Sequence, residues 1–339
     1  MQDYSAAIEA ESGEREFLAN FQTQLYNSSY PVISVQADVA RESIQMEISN
    51  ELAPRKLGLS VQFGDATEPS RRTNLLLPTG SLATPSWYES NNENHWFKLN
   101  PKPDISTYFR VMYSDSLLES NFKQAIGRKL LEPLDRLNVL DDAVGLVMSN
   151  EMEPSSFKRL LDLYAEEDNG AVILEMLIAS KVLSALKLPA GAQTASPVGQ
   201  VMLKVFERFG FDEPPSGSFL DRRAQMSVLN ALVKAGNQKA IEAALNKFDL
   251  FDGVVHRLHL REPIYAAVVG HGAWNQVEKL LQHLERTQSL EEQTRLFGAL
   301  SSSSDGRVHE ALRGWLDKSR VPEDTRKQWS ATLDRLKTN

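Results

Sequence analysis

The stretch HWFKLNPKPDISTYFRVMYSDSLL, residues 95 to 118, is where the chain changes period. His95–Leu99 and Thr107–Tyr113 are the last of a series of strand candidates. From Ser116 onward, apolar residues recur every three to four positions instead, the spacing of an amphipathic helix. The strand-forming part therefore ends here and a helical part begins.

Upstream, from Tyr30 to about Asp115, the sequence alternates. In SIQMEISN, Ile44, Met46 and Ile48 point one way while Gln45, Glu47 and Ser49 point the other; Leu57, Leu59, Val61 and Phe63 repeat the pattern. Thr73–Leu77 is a further candidate, and Gly64–Pro69 is rich in turn residues. About seven short strands of this kind predict a small antiparallel β-sandwich. Ahead of it, Phe17, Leu18, Phe21 and Leu25 predict a helix over Ser12–Leu25, broken by Asn27-Ser28-Ser29.

Downstream the pattern stays helical. Pro133 and Pro154 occupy first-turn positions. Leu134, Leu137, Leu140, Ala143, Val144 and Val147 form one apolar stripe; Phe157, Leu160, Leu161 and Tyr164 form another. Breaks fall at Leu188–Ser196 and Asp212–Ser218. ALVKAGNQKAIEAAL, from Ala231, aligns with AVVGHGAWNQVEKLL, from Ala267, at an offset of 36 residues. A looser third copy starts near Ala299. Such a period predicts an α-solenoid of HEAT or armadillo type, with about ten to twelve helices. The expected partition is residues 1–29 as a helix and linker, 30–115 as the sandwich and 116–339 as the solenoid.

Composition narrows the chemistry. The 339 residues include no cysteine and six histidines, and the formal net charge is −8. Thiol catalysis, disulfide scaffolds and cysteine-ligated metals are excluded. A pI near 5.4 argues against a general nucleic-acid binder. With neither a secretory signal pattern nor a run of ~20 apolar residues, the expectation is a cytoplasmic or otherwise soluble protein without a membrane partner, though a signal upstream of a fragment stays open.

No H-E-x-x-H, phosphate loop, G-x-G-x-x-G or G-x-S-x-G occurs. His256, His259 and Glu262 are spaced to share a helical face and bind a metal, but Asp252-Gly253 and Pro263 bracket them and favour an exposed connection. Asp141 and Asp142 point about 100° apart on a helix, so they do not converge on one substrate atom. One of them is expected to pair with Arg136 or cap a helix. Ser301–Ser304 before Asp305-Gly306 reads as a loop and cap. Arg222-Arg223 and Arg257/Arg261 are basic spots, read first as surface ion pairs.

Several motifs resemble the C-terminal half of the gluzincin zinc aminopeptidases, the family of the puromycin-sensitive and endoplasmic-reticulum enzymes. Trp96, Lys98 and Asn100 match its W-x-K-x-N element. Tyr108, Arg110, Val111 and Tyr113 match G-Y-Y-R-V-N-Y, with Thr107 and Met112 as departures. Asp135, Arg136, Leu140 and Asp142 match D-R-x-x-L-L-x-D. Tyr30-Pro31-Val32, Leu260–Tyr265 and Gln293–Ser304 add weaker matches in the same order. The resemblance implies a non-catalytic region that caps an active site and helps enclose a peptide chamber, with zinc held only in a separate catalytic domain and no cofactor in this chain. The partners it implies are a peptide, an aminopeptidase catalytic domain, or both. It makes Arg261 and Tyr265 candidates for peptide binding. It makes Trp96, Arg110, Tyr113, Asp135, Arg136 and Asp142 structural residues of the strand-to-helix junction. The alternative is an independent solenoid scaffold that binds a peptide or protein on its concave face.

Overall fold

The structure, a computed structural model, describes residues 30–38, 43–48, 56–64, 70–78, 96–101, 109–185, 196–214, 216–250, 255 and 257–337. The helix expected over Ser12–Leu25 lies outside these, as does most of the break at Leu188–Ser196.

Six strands are described: β1 (Val32–Asp38), β2 (Ser43–Ile48), β3 (Lys56–Gly64), β4 (Arg71–Pro78), β5 (Trp96–Leu99) and β6 (Arg110–Tyr113). They form two three-stranded sheets, ordered β2-β1-β6 and β4-β3-β5. The alternation does its expected work in β2, where Ile44, Met46 and Ile48 are buried and Glu47 faces water. One pairing departs from the all-antiparallel expectation. β6 runs parallel to β1, from Val32 opposite Arg110 to Val35 opposite Tyr113. β5, which precedes β6, belongs to the other sheet, so β6 returns to β1 by a crossover rather than a hairpin, which permits the parallel direction.

After β6 the chain becomes helical. α1 (Asp115–Leu117) continues through a π-helical turn, Leu118–Phe122, into α2 (Lys123–Gly127). Then come α3 (Pro133–Met148), α4 (Pro154–Asp162) and α5 (Gly170–Ala185). Pro133 and Pro154 sit at first-turn positions, where the missing N–H leaves no helical bond unmade. The described residues through 185 belong to one compact unit and those from 196 onward to a second.

The reason the helices up to α5 share a unit with the strands is a set of buried polar contacts. Lys98 on β5 is 1% exposed. Its ammonium donates to Leu99 O at 3.0 Å, Asn100 O at 3.0 Å and Asn138 Oδ1 on α3 at 2.8 Å, with Asp135 Oδ1 at 3.5 Å. Three donors thus find three acceptors, and a carboxylate balances the charge. Asn100 adopts a left-handed φ of 54°, which asparagine tolerates better than most residues, and so turns its carbonyl back to Lys98. The outer edge of β5 is closed by side chains. Asn121 on the π-helical turn accepts from Phe97 N at 2.8 Å and donates to Phe97 O at 3.1 Å. The Tyr113 hydroxyl accepts from Leu99 N at 3.0 Å, and its ring packs on Phe97 and Phe122. Burial drives the Tyr113 phenol far above its ordinary range, so the ring stays neutral.

Arg110 on β6 lies flat on α3. It donates to Asp141 O at 2.6 Å and Asp141 Oδ2 at 3.2 Å, with Asp142 Oδ1 at 3.6 Å, while Tyr30 covers its other face. Gly145 makes room, because a Cβ there would come within 2.4 Å of the guanidinium carbon. The expected partnership of Arg136 with Asp141 or Asp142 is therefore not formed. Arg136 instead grips Glu167 through two bonds of 2.7 and 2.8 Å, and Glu167 also accepts from the backbone N–H groups of Asp168 and Asn169 ahead of α5. Asp141 and Asp142 lie on the face of α3 that meets β6, and Glu167 joins Arg136 from the loop before α5.

The second unit contains α6 (Pro197–Phe209), α7 (Phe219–Lys234), α8 (Gln238–Leu250), a 3-10 turn (Leu258–Leu260), α9 (Arg261–His271), α10 (Trp274–Arg286), α11 (Leu290–Ser301), α12 (Gly306–Lys318) and α13 (Glu323–Lys337). If α1 to α2 is one interrupted helix, twelve helices are described. The aligned segments fall on two helix hairpins, α7/α8 and α9/α10, with α10 starting 36 residues after α8. α9 packs on α7 and α11, so alternate helices form a row. The paired glycines serve different ends. Gly236 has φ +77° in its turn, whereas at Gly272 a Cβ would press within 2.6 Å of Val268 O.

Gly145→Ala should destabilise the first unit by about 1–2 kcal/mol by displacing the Arg110 guanidinium. In an Arg110→Ala background the same change should be neutral or stabilising by up to about 1 kcal/mol, since alanine is the better helix former. Urea titrations of the four proteins test this, and an equal effect in both backgrounds would refute the contact. A second outcome concerns Asp142. Burial pushes its carboxyl up to about 7, against the pull of Lys98 and Arg110. A raised native pKa favours folding at low pH and loses that contribution as pH climbs from ~4 to above 7. The stability of Asp142→Asn relative to wild type should therefore improve steadily over that window, as read by thermal melts.

Candidate functional site

In the second unit an open groove of about 530 Å³ runs over the row α7–α9–α11. Its lining includes four small residues, Ala266 on α9, Gly298 and Ala299 on α11, and Ser302 just past the end of α11. Its walls are polar: Asn230 and Lys234 from α7, Glu262 from α9, and Glu291, Thr294 and Arg295 from α11. Asn230 donates to Glu262 at 2.5 Å. Lys234, exposed at the end of α7, has no side-chain partner among the described residues.

Behind the wall lies Glu292, only 4% exposed. Ser289 caps the start of α11, and α11 carries Glu292 toward α9. Its carboxylate accepts from Arg261 Nη1 at 2.6 Å, Arg295 Nη1 at 2.5 Å and the Tyr265 hydroxyl at 2.8 Å, and His283 Nε2 stands 3.4 Å away. Burial alone would raise the Glu292 pKa. The bonds from Tyr265, Arg261 and Arg295 outweigh it and hold the carboxyl below the ordinary glutamate range. Arg295 also binds Glu291 at 2.8 Å, so one side chain belongs both to the groove wall and to the buried cluster.

Arg261 and Tyr265, one turn apart on α9, are thus brought together on the same carboxylate. Tyr265 is fully buried. Arg261 also donates Nε to Val255 O at 2.7 Å and remains 17% exposed. Trp96, Arg110, Tyr113, Asp135, Arg136 and Asp142 all lie in the first unit, at the junction described above. The residues not singled out beforehand are Lys98, Asn121, Asn138 and Glu167 there, and Lys234, Glu292 and Arg295 here. Lys98 and Arg295 fall within the quoted family motifs and Lys234 within the repeat, without any mark of their roles; the run Glu291-Glu292…Arg295 has helical ion-pair spacing but nothing that marks burial.

The metal pattern does not assemble as spaced. His256 lies outside the described residues. His259 Nε2 faces Glu213 at 4.0 Å, whereas Glu262 is turned to Asn230. Among the described residues no group of three histidine or carboxylate side chains could hold an ion. Asp305 does cap α12, accepting from Arg307 N at 2.9 Å.

A family model described as ERAP1-like C-terminal domain matches residues 96–333. Aminopeptidase M1 of Arabidopsis thaliana is 26% identical over 332 residues, covering 90% of this chain and 37% of the relative. Aminopeptidase M1-A of Oryza sativa subsp. japonica is 29% identical over 247 residues, covering 68% and 27%. Aminopeptidase M1-C of the same rice is 24% identical over 324 residues, covering 90% and 36%. The chain spans about a quarter to a little over a third of the length of these curated relatives.

Glu292→Gln should lower the melting temperature at pH 7, because Arg261 and Arg295 lose their buried counter-charge. A depressed native pKa contributes stability above the unfolded value of ~4.3 and loses it as pH falls further. Wild type should therefore lose more stability than Glu292→Gln on acidification from pH 6 to pH 3.5. Parallel curves would show that the carboxylate is not held in its charged form.

Proposed function

Because the chain belongs to the ERAP1-like C-terminal domain family, we propose that it carries out no hydrolysis alone and instead caps the active site of an aminopeptidase catalytic domain, forming part of a chamber that encloses peptide. In this reading the strands are a spacer and the helices supply the wall. The observation that carries it is the α7–α9–α11 groove, whose lining includes small residues that leave room for a peptide backbone and one cation without a side-chain partner among the described residues, Lys234. Lys234 is available for a carboxylate. Arg261 stands on the neighbouring face of α9, and its Nη2 has no acceptor among the described residues. Arg is suited to carboxylate recognition. Tyr265 contributes by holding Glu292, and so Arg261, in place.

A second reading has one observation in its favour: every residue that lines the groove lies within the second unit. An independent peptide-binding scaffold would need nothing more. Retention of an aminopeptidase catalytic domain in a pull-down favours the first reading, and peptide binding without such retention favours the second.

Fluorescence anisotropy with a labelled peptide bearing a free or an amidated C-terminus tests the groove. The free acid should bind at least about tenfold more tightly, a difference of ~1.4 kcal/mol. Lys234→Ala should remove most of that preference at unchanged melting temperature. Arg261→Ala should weaken binding and also lower the melting temperature, because it breaks the contacts to Val255 and Glu292. Equal affinity for the two peptides would overturn carboxylate recognition. Stoichiometric zinc accompanied by turnover of an aminoacyl chromogen would overturn the non-catalytic assignment.

A further inference from the structure

Recognition of a carboxylate uses only half of the charge pattern in the α7–α9–α11 groove. Four charged residues line it: Lys234 on α7, Glu262 on α9, and Glu291 and Arg295 on α11. Two of them are already satisfied. Arg295 pairs with both Glu291 and the buried Glu292, and Arg261 brings Glu292 a second cation. Two guanidinium groups thus face two carboxylates, and their charges cancel.

Lys234 and Glu262 are left over. Lys234 lies in the last turn of α7 and Glu262 in the first turn of α9. Glu262 accepts from the Asn230 side chain at 2.5 Å, but an amide is neutral, so this bond cancels none of the charge. Arg261, next to Glu262 in sequence, is directed to Val255 and Glu292 instead. Neither Lys234 nor Glu262 has an ion pair among the described residues, with each other or with any third group. Asn230 accounts for their separation. It stands one helical turn before Lys234 on α7, ~6 Å along the axis, and turns Glu262 toward itself. One cavity therefore holds an unmatched cation and an unmatched anion. An occupant that brings only a carboxylate answers the first and leaves the second.

We propose that the groove selects peptides whose C-terminal residue is lysine or arginine, with the α-carboxylate on Lys234 and the side-chain cation on Glu262. This specificity rests on the reading of the groove as the site of a peptide's C-terminal carboxylate. A C-terminal lysine carries its two charges at the ends of a flexible four-carbon stem, which suits two protein charges set about one helical turn apart. The lining leaves space for such a stem: a Cβ at Gly298 would meet no atom within 4 Å, and Ala266 and Ala299 are short. An acidic C-terminal residue would bring a second carboxylate to Glu262, and that repulsion discriminates against it. An apolar residue would shield Glu262 from water without giving it a partner.

Fluorescence anisotropy with the full 339-residue chain tests this, using labelled peptides that differ only in their last residue. That residue is lysine, norleucine or glutamate, each as the free acid and as the amide. Norleucine keeps the stem and lacks the charge. The lysine acid should bind about threefold to fivefold more tightly than the norleucine acid, the worth of a partly exposed ion pair, and the glutamate acid should bind most weakly. Glu262→Gln can still accept from Asn230. It should abolish the lysine preference, keep the preference for acid over amide and leave the melting temperature unchanged. Glu262→Lys should move the preference to glutamate. Equal affinity for the lysine and norleucine acids, with acid still preferred to amide, overturns the specificity and leaves the carboxylate reading standing. A lysine preference that survives Glu262→Gln overturns the role of Glu262. Equal affinity for acid and amide overturns the carboxylate reading, and the specificity with it.

Discussion

The Lys98 ammonium is buried where an uncompensated charge would be costly by several kcal/mol, and the first unit is arranged around its compensation. Two of its acceptors are carbonyls of its own strand; the third acceptor and the counter-charge come from α3. Strand β5 and helix α3 therefore cannot separate without stranding a charge. The remaining junction contacts follow from that placement. Asn121 and Tyr113 close the edge of β5, and Arg110 lies on α3 where Gly145 leaves space. This explains why the described residues from the strands to α5 form one compact unit although the period changes at residue 116.

The second unit uses the complementary device. There the buried centre is an anion, Glu292, and the cations come to it from α9 and α11. Because Arg295 belongs both to this cluster and to the groove wall, the geometry of the wall is tied to the packing of the helix row. A groove built in this way is pre-organised: its Arg295 is already held by Glu291 and Glu292.

Much of this was legible in the residues. Period-2 alternation identified β2 and β3, and the two first-turn prolines placed the starts of α3 and α4. The W-x-K-x-N and D-R-x-x-L-L-x-D elements pointed to the junction. What the pattern concealed was partnership. Arg136 and Asp142 are six residues apart on α3, about 240° round the helix, so they face different neighbours: Arg136 reaches Glu167 and Asp142 meets Val111 and Arg110. A glutamate in a loop and an asparagine on a π-helical turn carry no local sign of what they will bind.

The order of strands before helices, the absence of the usual zinc-peptidase and nucleotide motifs, and the family resemblance were determined by the sequence alone. They depend on local periodicity and short motifs, which are properties of neighbours along the chain. The parallel return of β6, the burial of Lys98 and Glu292 and the groove over α7–α9–α11 were decided only by the tertiary structure. Each depends on which face of one element meets another far away in sequence, and that is set by burying the most apolar area with the least unpaired buried charge over a whole unit.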